Sequence, residues 1–302
     1  LIDENYVVYA ENGEDGLFRL KLFCVNPAVN LGEYLKKGRS AVFFSATLLP
    51  MNYYRKLLSN RQDDYGIYVE SPFSQKNRCI LNAGDVSSLY SRRGYEEYHK
   101  IAEYIARTVW QHKGNYMVFF PSYKMLEEVY AVYEEEFSVN WVKCICQNSS
   151  MKEQEREEFL QEFEQNQESL VAFCIMGGIF SEGIDLLGEK LIGAILVGTG
   201  LPQLGNEREI LRSFYTENGE NGFDYAYRYP GMNKVLQAAG RVIRTREDHG
   251  VILLLDERFR QREYSNLFPV EWNDRKTCTL SNVEAQLQKF WESIPDKISH
   301  KL

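Results

Sequence analysis

The strongest chemical signal in this 302-residue sequence is the stretch Gln237-Ala-Ala-Gly-Arg241-Val-Ile-Arg244. On a helix, offsets of four and three residues bring Gln237, Arg241 and Arg244 onto one face. A guanidinium keeps its charge at any accessible pH and grips oxyanions with two parallel donors. A pair of them on one rigid face therefore suits a phosphate cluster. Ala238 and Ala239 would keep such a helix slim, and Gly240 would admit another backbone or a ligand. The competing reading is a surface helix whose arginines pair with carboxylates, and for an isolated Arg-x-x-Arg that reading is preferred. The surrounding elements decide between them.

Apolar runs that read as buried strands are Ala41–Phe44, Gly114–Phe120, Val142–Cys146, Leu170–Ile175, Leu191–Val197 and Val251–Leu255. Shorter strand-like pieces lie at Tyr6–Tyr9, Phe18–Val25 and Tyr65–Val69. Between the runs come helical patterns: through about Ser59, Glu96–His112, through about Glu135, from the capping-box match Ser150-x-x-Glu153 to about Gln165, Glu207–Tyr215, 232–245 and Ser281–Trp291. This alternation predicts an α/β fold with a mainly parallel sheet covered by helices on both faces.

In such a sheet the loops that follow the strands gather at its carboxyl edge, where ligands bind. They carry Ser45 and Thr47, then Ser122 and Tyr123, then Met176-Gly177-Gly178-Ile-Phe-Ser181-Glu182-Gly183-Ile-Asp185. Backbone N–H groups in glycine turns and at helix starts bind phosphate oxygens without net positive charge. The plainer alternatives are hydroxyls that cap the next helix and an acidic helix that is only a solvated face. A basic turn, Tyr90-Ser-Arg92-Arg93, could touch phosphate or simply lie at the surface.

Composition sets limits. A net charge of −8 argues against a wholly basic nucleic-acid-binding surface, though not against a local groove. Apolar content of 44% and aromatic content of 14% describe a folded, globular chain. No apolar run reaches membrane-spanning length, and the N-terminus has no targeting pattern. The six cysteines form no C-x-x-C pair and read as reduced core thiols of a cytosolic protein. The four histidines are scattered, so no metal site is expected.

Ser45-Ala-Thr-Leu, Phe119-Phe-Pro-Ser-Tyr123, Gly178-Ile-Phe-Ser-Glu-Gly-Ile-Asp185 and Gln237-Ala-Ala-Gly-Arg-Val-Ile-Arg244 resemble motifs III, IV, V and VI of the DinG/XPD-like superfamily 2 DNA helicases, in the family's order. Asp248-x-Gly250 and Asp256-Glu-Arg-Phe259 resemble its continuation. The resemblance runs from about residue 41 to 268. It implies a second RecA-like motor domain over 41–302, with 1–40 as the tail of the first motor or a connector.

The resemblance also implies roles. Arg241 and Arg244 become arginine fingers for an ATP held with Mg²⁺ by the first motor domain of the same polypeptide, and Gln237 holds their register. Gly183 and Asp185 meet the nucleotide or the domain interface. Ser122, Tyr123, Gly177, Gly178, Ser181 and Glu182 face single-stranded DNA, and Ser45 and Thr47 couple nucleotide state to DNA grip. Travel is five-prime to three-prime in the relatives.

The sequence has no G-x-x-x-x-G-K-[ST] loop, no four-cysteine iron–sulfur set and no initial Met. The expectation is a chain that starts near the junction of the two motors, with any iron–sulfur cluster outside it. By itself it should hydrolyse no ATP. Leu253-Leu-Leu-Asp256-Glu257 looks like a Mg²⁺-binding strand end, but its late position favours a core strand whose carboxylates pair locally with Arg258. The expected setting is a cytoplasmic, nucleoid-associated monomer. The alternative is a non-catalytic nucleic-acid-binding or protein-interaction module that keeps the helicase fold.

Overall fold

The computed structural model describes residues 3–13, 15–59, 61, 63–165, 168–181 and 186–295. Their elements, in chain order, are β1 (Tyr6–Asn12), β2 (Phe18–Cys24), α1 (Ala28–Leu35), α2 (Met51–Leu58), β3 (Arg78–Ala83), α3 (Tyr95–Val109), β4 (Asn115–Phe120), α4 (Tyr123–Glu136) and β5 (Val142–Cys146). After them come α5 (Glu153–Gln165), β6 (Ser169–Ile175), β7 (Gly193–Val197), α6 (Asn206–Glu217), α7 (Tyr229–Ala239), β8 (Gly250–Leu255), α8 (Arg262–Ser265), β9 (Lys276–Cys278) and α9 (Val283–Ser293). The chain divides into two compact units, residues 1–69 with 202–230 and residues 70–201 with 231–302.

The smaller unit carries an antiparallel hairpin. Tyr6 pairs with Cys24 at one end and Asn12 with Phe18 at the other. Gly16, at φ 75°, supplies the left-handed residue that the reversal needs. Elsewhere in the unit, aromatic rings pack edge to face: Tyr53 lies 4.9 Å from Tyr54, 5.1 Å from Tyr225 and 5.0 Å from Tyr229. Two sequence expectations fail in this unit. Ala41–Phe44 forms no buried strand: Val42 is 81% and Phe44 89% exposed. Tyr65–Val69 is likewise irregular and exposed. Among the described residues neither segment has a strand beside it, and apolar content without a hydrogen-bonded neighbour does not make a strand.

The larger unit is a seven-stranded sheet in the order β5-β6-β4-β7-β8-β3-β9, parallel at every pairing. Its residues alternate between two buried faces. Tyr116, Val118 and Phe120 of β4 join one core with Ile101 and Ile105 of α3, Met125 and Val129 of α4, and Leu287 of α9. Met117 and Phe119, equally buried, point the opposite way. On that side Phe159 and Phe163 of α5 and Met232, Val235 and Leu236 of α7 are buried. This is the expected three-layer arrangement with helices on both faces.

β3 is a strand that periodicity misses. Only Cys79, Ile80 and Leu81 are apolar between Arg78 and Asn82, yet the register Cys79↔Val251 through Ala83↔Leu255 places it in the centre of the sheet's right half. No described helix is long and apolar enough to cross a membrane.

Candidate functional site

β5, β6 and β4 are parallel neighbours, β4 and β6 ending level and β5 two residues sooner, so the loops that follow them assemble at one edge. β4 runs through Pro121 into α4. Ser122 is the N-cap, and its hydroxyl oxygen accepts from Met125 N at 3.4 Å. Tyr123, half-buried, opens the helix. β6 runs into the glycine turn, where Met176 N donates to Phe120 O at 2.8 Å and Gly178 N to Ile175 O at 3.1 Å.

The turn demands its glycine. Gly177 has φ 74°, and a Cβ there would stand 2.7 Å from Lys234 Cδ. The Lys234 stem, on α7, lies across the turn, a contact that no motif announced. Behind the turn Phe180 is buried and stacks on Phe159 of α5 at 4.3 Å.

α7 reaches this turn because two glycines let backbones cross. A Cβ on Gly231 would sit 2.8 Å from Thr199 O, and one on Gly200, itself at φ 67°, 2.5 Å from Gly231 O. The helix is shorter than its sequence suggested. It ends at Ala239, so Arg241 and Arg244 do not share a helical face with Gln237. Arg241 N donates to Ala238 O and Val242 N to Ala239 O, both at 3.3 Å, which tightens the last turn at Gly240.

Asp248 then captures the chain. Its carboxylate accepts from Arg244 N and Thr245 N, each at 2.7 Å, and from Thr245 Oγ1 at 2.7 Å. The side chains consequently diverge in role. Arg241, half-buried, donates through Nε at 3.2 Å and Nη2 at 3.0 Å to Ser181 O. Arg244 lies at the surface. Gln237 is half-buried one turn back.

Burial on its own would raise the Asp248 carboxyl, but the Thr245 hydroxyl and the Arg244 and Thr245 N–H groups outweigh it and hold it below its usual value. A group lowered on folding stabilises the fold above its unfolded value of about 3.9 and loses that contribution as pH falls through the lowered folded value. Asp248→Ala is expected to cost about 1–2 kcal/mol, the scale of a lost capping side chain. Thermal unfolding at pH 7 and at pH 3 checks it: the gap between variant and parent should be smaller at the lower pH.

Ser181 faces inward rather than toward a ligand. It is fully buried and its hydroxyl donates to Gly178 O at 2.8 Å. The outward members of this edge are exposed Gly177 and partly exposed Gly178, Ser122 and Tyr123. Glu182, Gly183 and Asp185 lie outside the described residues. Ser45 and Thr47 belong to the smaller unit and hydrogen-bond each other at 3.3 Å on an exposed turn, not past a sheet strand.

Arg92 is committed to Glu97 and, at 3.4 Å, to Glu257, and the Arg93 guanidinium lies over the Tyr90 ring at 5.4 Å. Asp256 pairs with Arg258 at 2.8 Å, the local pairing expected of it. A residue the motifs passed over, Gln147 just after β5, is buried and bonds to Tyr123 and Ile175. A lone Gln after a strand carries no sequence signal.

A family model described as the helicase C-terminal domain matches residues 105–275. The regulator of telomere elongation helicase 1 homolog of Aedes aegypti is 28% identical over 301 residues, which cover 91% of this chain and 30% of that protein. The Culex quinquefasciatus homolog is 26% identical with the same coverage. The chain thus spans about 30% of the length of these curated relatives. Among solved structures, an XPD helicase superposes with a TM-score of 0.63 at 18% identity, over 91% of this chain and 48% of that one. A second XPD chain, in its apo form, gives 0.66 at 18% identity, over 91% and 54%. At that identity the likeness is one of fold, the RecA-like α/β arrangement.

Proposed function

The chain belongs to the helicase C-terminal domain family, on its DinG/XPD-like branch, and from that premise we propose that it is the second motor domain of an ATP-dependent DNA helicase. The observation that carries this is the bond from Arg241 to Ser181 O, which joins the arginine segment to the glycine turn at the ligand-binding edge of a parallel sheet. A segment wired to that turn can pass nucleotide state to the surface that grips the strand.

In this reading ATP and Mg²⁺ are held by the first motor domain, elsewhere in the same polypeptide. Arg241 and Arg244 reach across to the γ-phosphate. Charge builds on the phosphoryl oxygens during transfer, and fixed guanidiniums stabilise it without reorganising. The chemistry of the set fits a polyphosphate: surface-placed Arg244 is a forked donor, while Arg241 is braced by its carbonyl contact. Gln237 holds the arginine segment in register with the nucleotide, and Gly183 and Asp185 meet the nucleotide or the domain interface.

Single-stranded DNA runs over Ser122, Tyr123, Gly177 and Gly178. It is held by backbone amides and a ring rather than by net positive charge, which suits a chain of net charge −8. Glu182 borders that path, Ser181 braces it from behind, and Ser45 and Thr47 couple it to the nucleotide. The protein works as a monomer.

The domain holds only half of the ATP site, so the purified 302-residue chain is expected to turn over no ATP, with or without DNA. The full-length protein should show DNA-stimulated turnover. Steady hydrolysis by the isolated chain, abolished by no arginine substitution, would refute the split-site reading.

A further inference from the structure

We propose that Gln147 is the positioning residue for Tyr123, holding its ring as a ready platform for one unpaired base; this rests on the strand-binding reading of that edge. Gln147 is only 5% exposed, and a buried carboxamide must find partners on both sides. Its backbone N donates to Phe173 O at 2.8 Å, continuing the β5–β6 ladder by one bond. Its side-chain Oε1 accepts from Ile175 N at 2.9 Å and its Nε2 donates to the Tyr123 hydroxyl at 3.0 Å.

The orientation of this amide is dictated by chemistry. Ile175 N–H is a donor only, so it takes the carboxamide oxygen, and the NH₂ end is left facing the phenol. The need arises because β5 stops at Cys146 while β6 runs on to Ile175. Met176 N is satisfied by β4, through Phe120 O. Ile175 N points to the side where β5 has ended, and the Gln147 side chain replaces the missing strand.

The Tyr123 hydroxyl is therefore occupied from both directions. It accepts from Gln147 and donates, in a long bond of 3.4 Å, to Asn148 O. What Tyr123 has left for a ligand is its ring. A ring offers stacking, which every base satisfies, and no hydrogen-bond readout. Gln147 also lies against the glycine turn, its Nε2 being 3.5 Å from where a Gly178 Cβ would stand. The ring and the turn's amides are thereby fixed relative to each other before a strand arrives, and less side-chain freedom is lost on binding.

The test measures binding of labelled oligothymidylate and oligodeoxyadenylate to the 302-residue chain by fluorescence anisotropy, with thermal unfolding recorded for every variant. Tyr123→Ala is expected to weaken binding about tenfold, the scale of one lost stack, alike for both oligonucleotides. Gln147→Met should weaken it severalfold when Tyr123 is present and not at all in the Tyr123→Ala background. A purely structural loss would instead carry over unchanged into that background, and such additivity overturns the proposal. Should Gln147→Met not fold, Tyr123→Phe decides: it keeps the ring and deletes only the anchored hydroxyl. A severalfold loss supports Gln147 as the anchor, and unchanged affinity overturns it. If Tyr123→Ala itself leaves affinity unchanged, the strand reading of this edge fails first, an outcome distinct from additivity.

Discussion

Arg241→Ala, introduced into the full-length protein, is expected from the proposed finger role to lower DNA-stimulated ATP turnover by about a thousandfold or more while nucleotide affinity changes little. That factor corresponds to about 4 kcal/mol of transition-state stabilisation. The asymmetry follows from when the charge appears. A finger meets charge that develops during phosphoryl transfer, so its loss falls on kcat rather than on ground-state binding. Beside that proposed role, the Arg241 guanidinium donates twice to Ser181 O. A charge-assisted bond of this kind contributes about 1.5–3 kcal/mol, so truncation also loosens the glycine turn. Arg241→Lys separates the two duties. It keeps the charge and loses the fork, and turnover should remain well below the parent's because one ammonium cannot hold the carbonyl and the phosphate together. Arg244→Ala should cut turnover comparably. The measurements are steady-state ATPase with saturating single-stranded DNA, and nucleotide binding by equilibrium titration. Turnover within threefold of the parent for both alanine variants would remove the arginine-finger role.

The largest expected stability effect lies at the other side of the same sheet edge. Asp256 is fully buried at the end of β8, and its carboxylate accepts from Ser88 N at 3.0 Å, Ser88 Oγ at 2.6 Å, Arg258 N at 2.9 Å, Arg258 Nε at 2.8 Å and Arg258 Nη2 at 2.9 Å. It fastens the turn after β3 to the end of β8, which are parallel neighbours. Asp256→Ala leaves the Arg258 charge nearly buried and two Ser88 groups without their acceptor. Removing one partner of a buried pair costs about 3–5 kcal/mol, a large share of the ~5–15 kcal/mol that holds a domain together.

Burial pushes the Asp256 carboxyl up, yet the Arg258 hydrogen bonds and charge, with the Ser88 hydroxyl, more than offset it and leave it below the usual carboxylate value. Because the folded value is the lower one, the stabilisation is complete above the unfolded value of about 3.9 and fades as pH drops through the folded value. Denaturant melts at pH 7 should show the full gap between parent and variant, and melts near pH 3 a smaller one. Asp256→Leu combined with Arg258→Met, which removes both charges, should recover part of the loss. A double variant no better than Asp256→Ala would mean that the hydrogen bonds to Ser88, and not the stranded charge, set the cost.

The legible and illegible parts of this molecule separate along a physical line. β4, β6, β7 and β8 are buried on both faces, so each reads as an unbroken apolar run whose ends fall within a residue or two of those expected. β3 fails that test because Arg78 and Asn82 interrupt it, and pairing with β8 and β9 makes it a strand. Ala41–Phe44 fails in the opposite sense: its residues suit a strand, and no described strand lies beside it.

By itself the sequence determined the parallel α/β plan, the glycine turn at Gly177 and the helicase motifs, because backbone conformation and hydrophobic period are written in residues that are close along the chain. Only the tertiary structure decided what each polar side chain does. α7 stops at Ala239, beyond which Arg241 N and Val242 N turn back to Ala238 O and Ala239 O and Asp248 captures the amides of Arg244 and Thr245. Ser181 turns inward to brace Arg241 across a separation of 60 residues. Asp256 binds Ser88 across 168 residues, and Gln147 finds Tyr123 and Ile175 where one strand ends before its neighbour. A hydrogen bond is satisfied by whatever group the fold brings within about 3 Å, and sequence spacing carries no record of that distance.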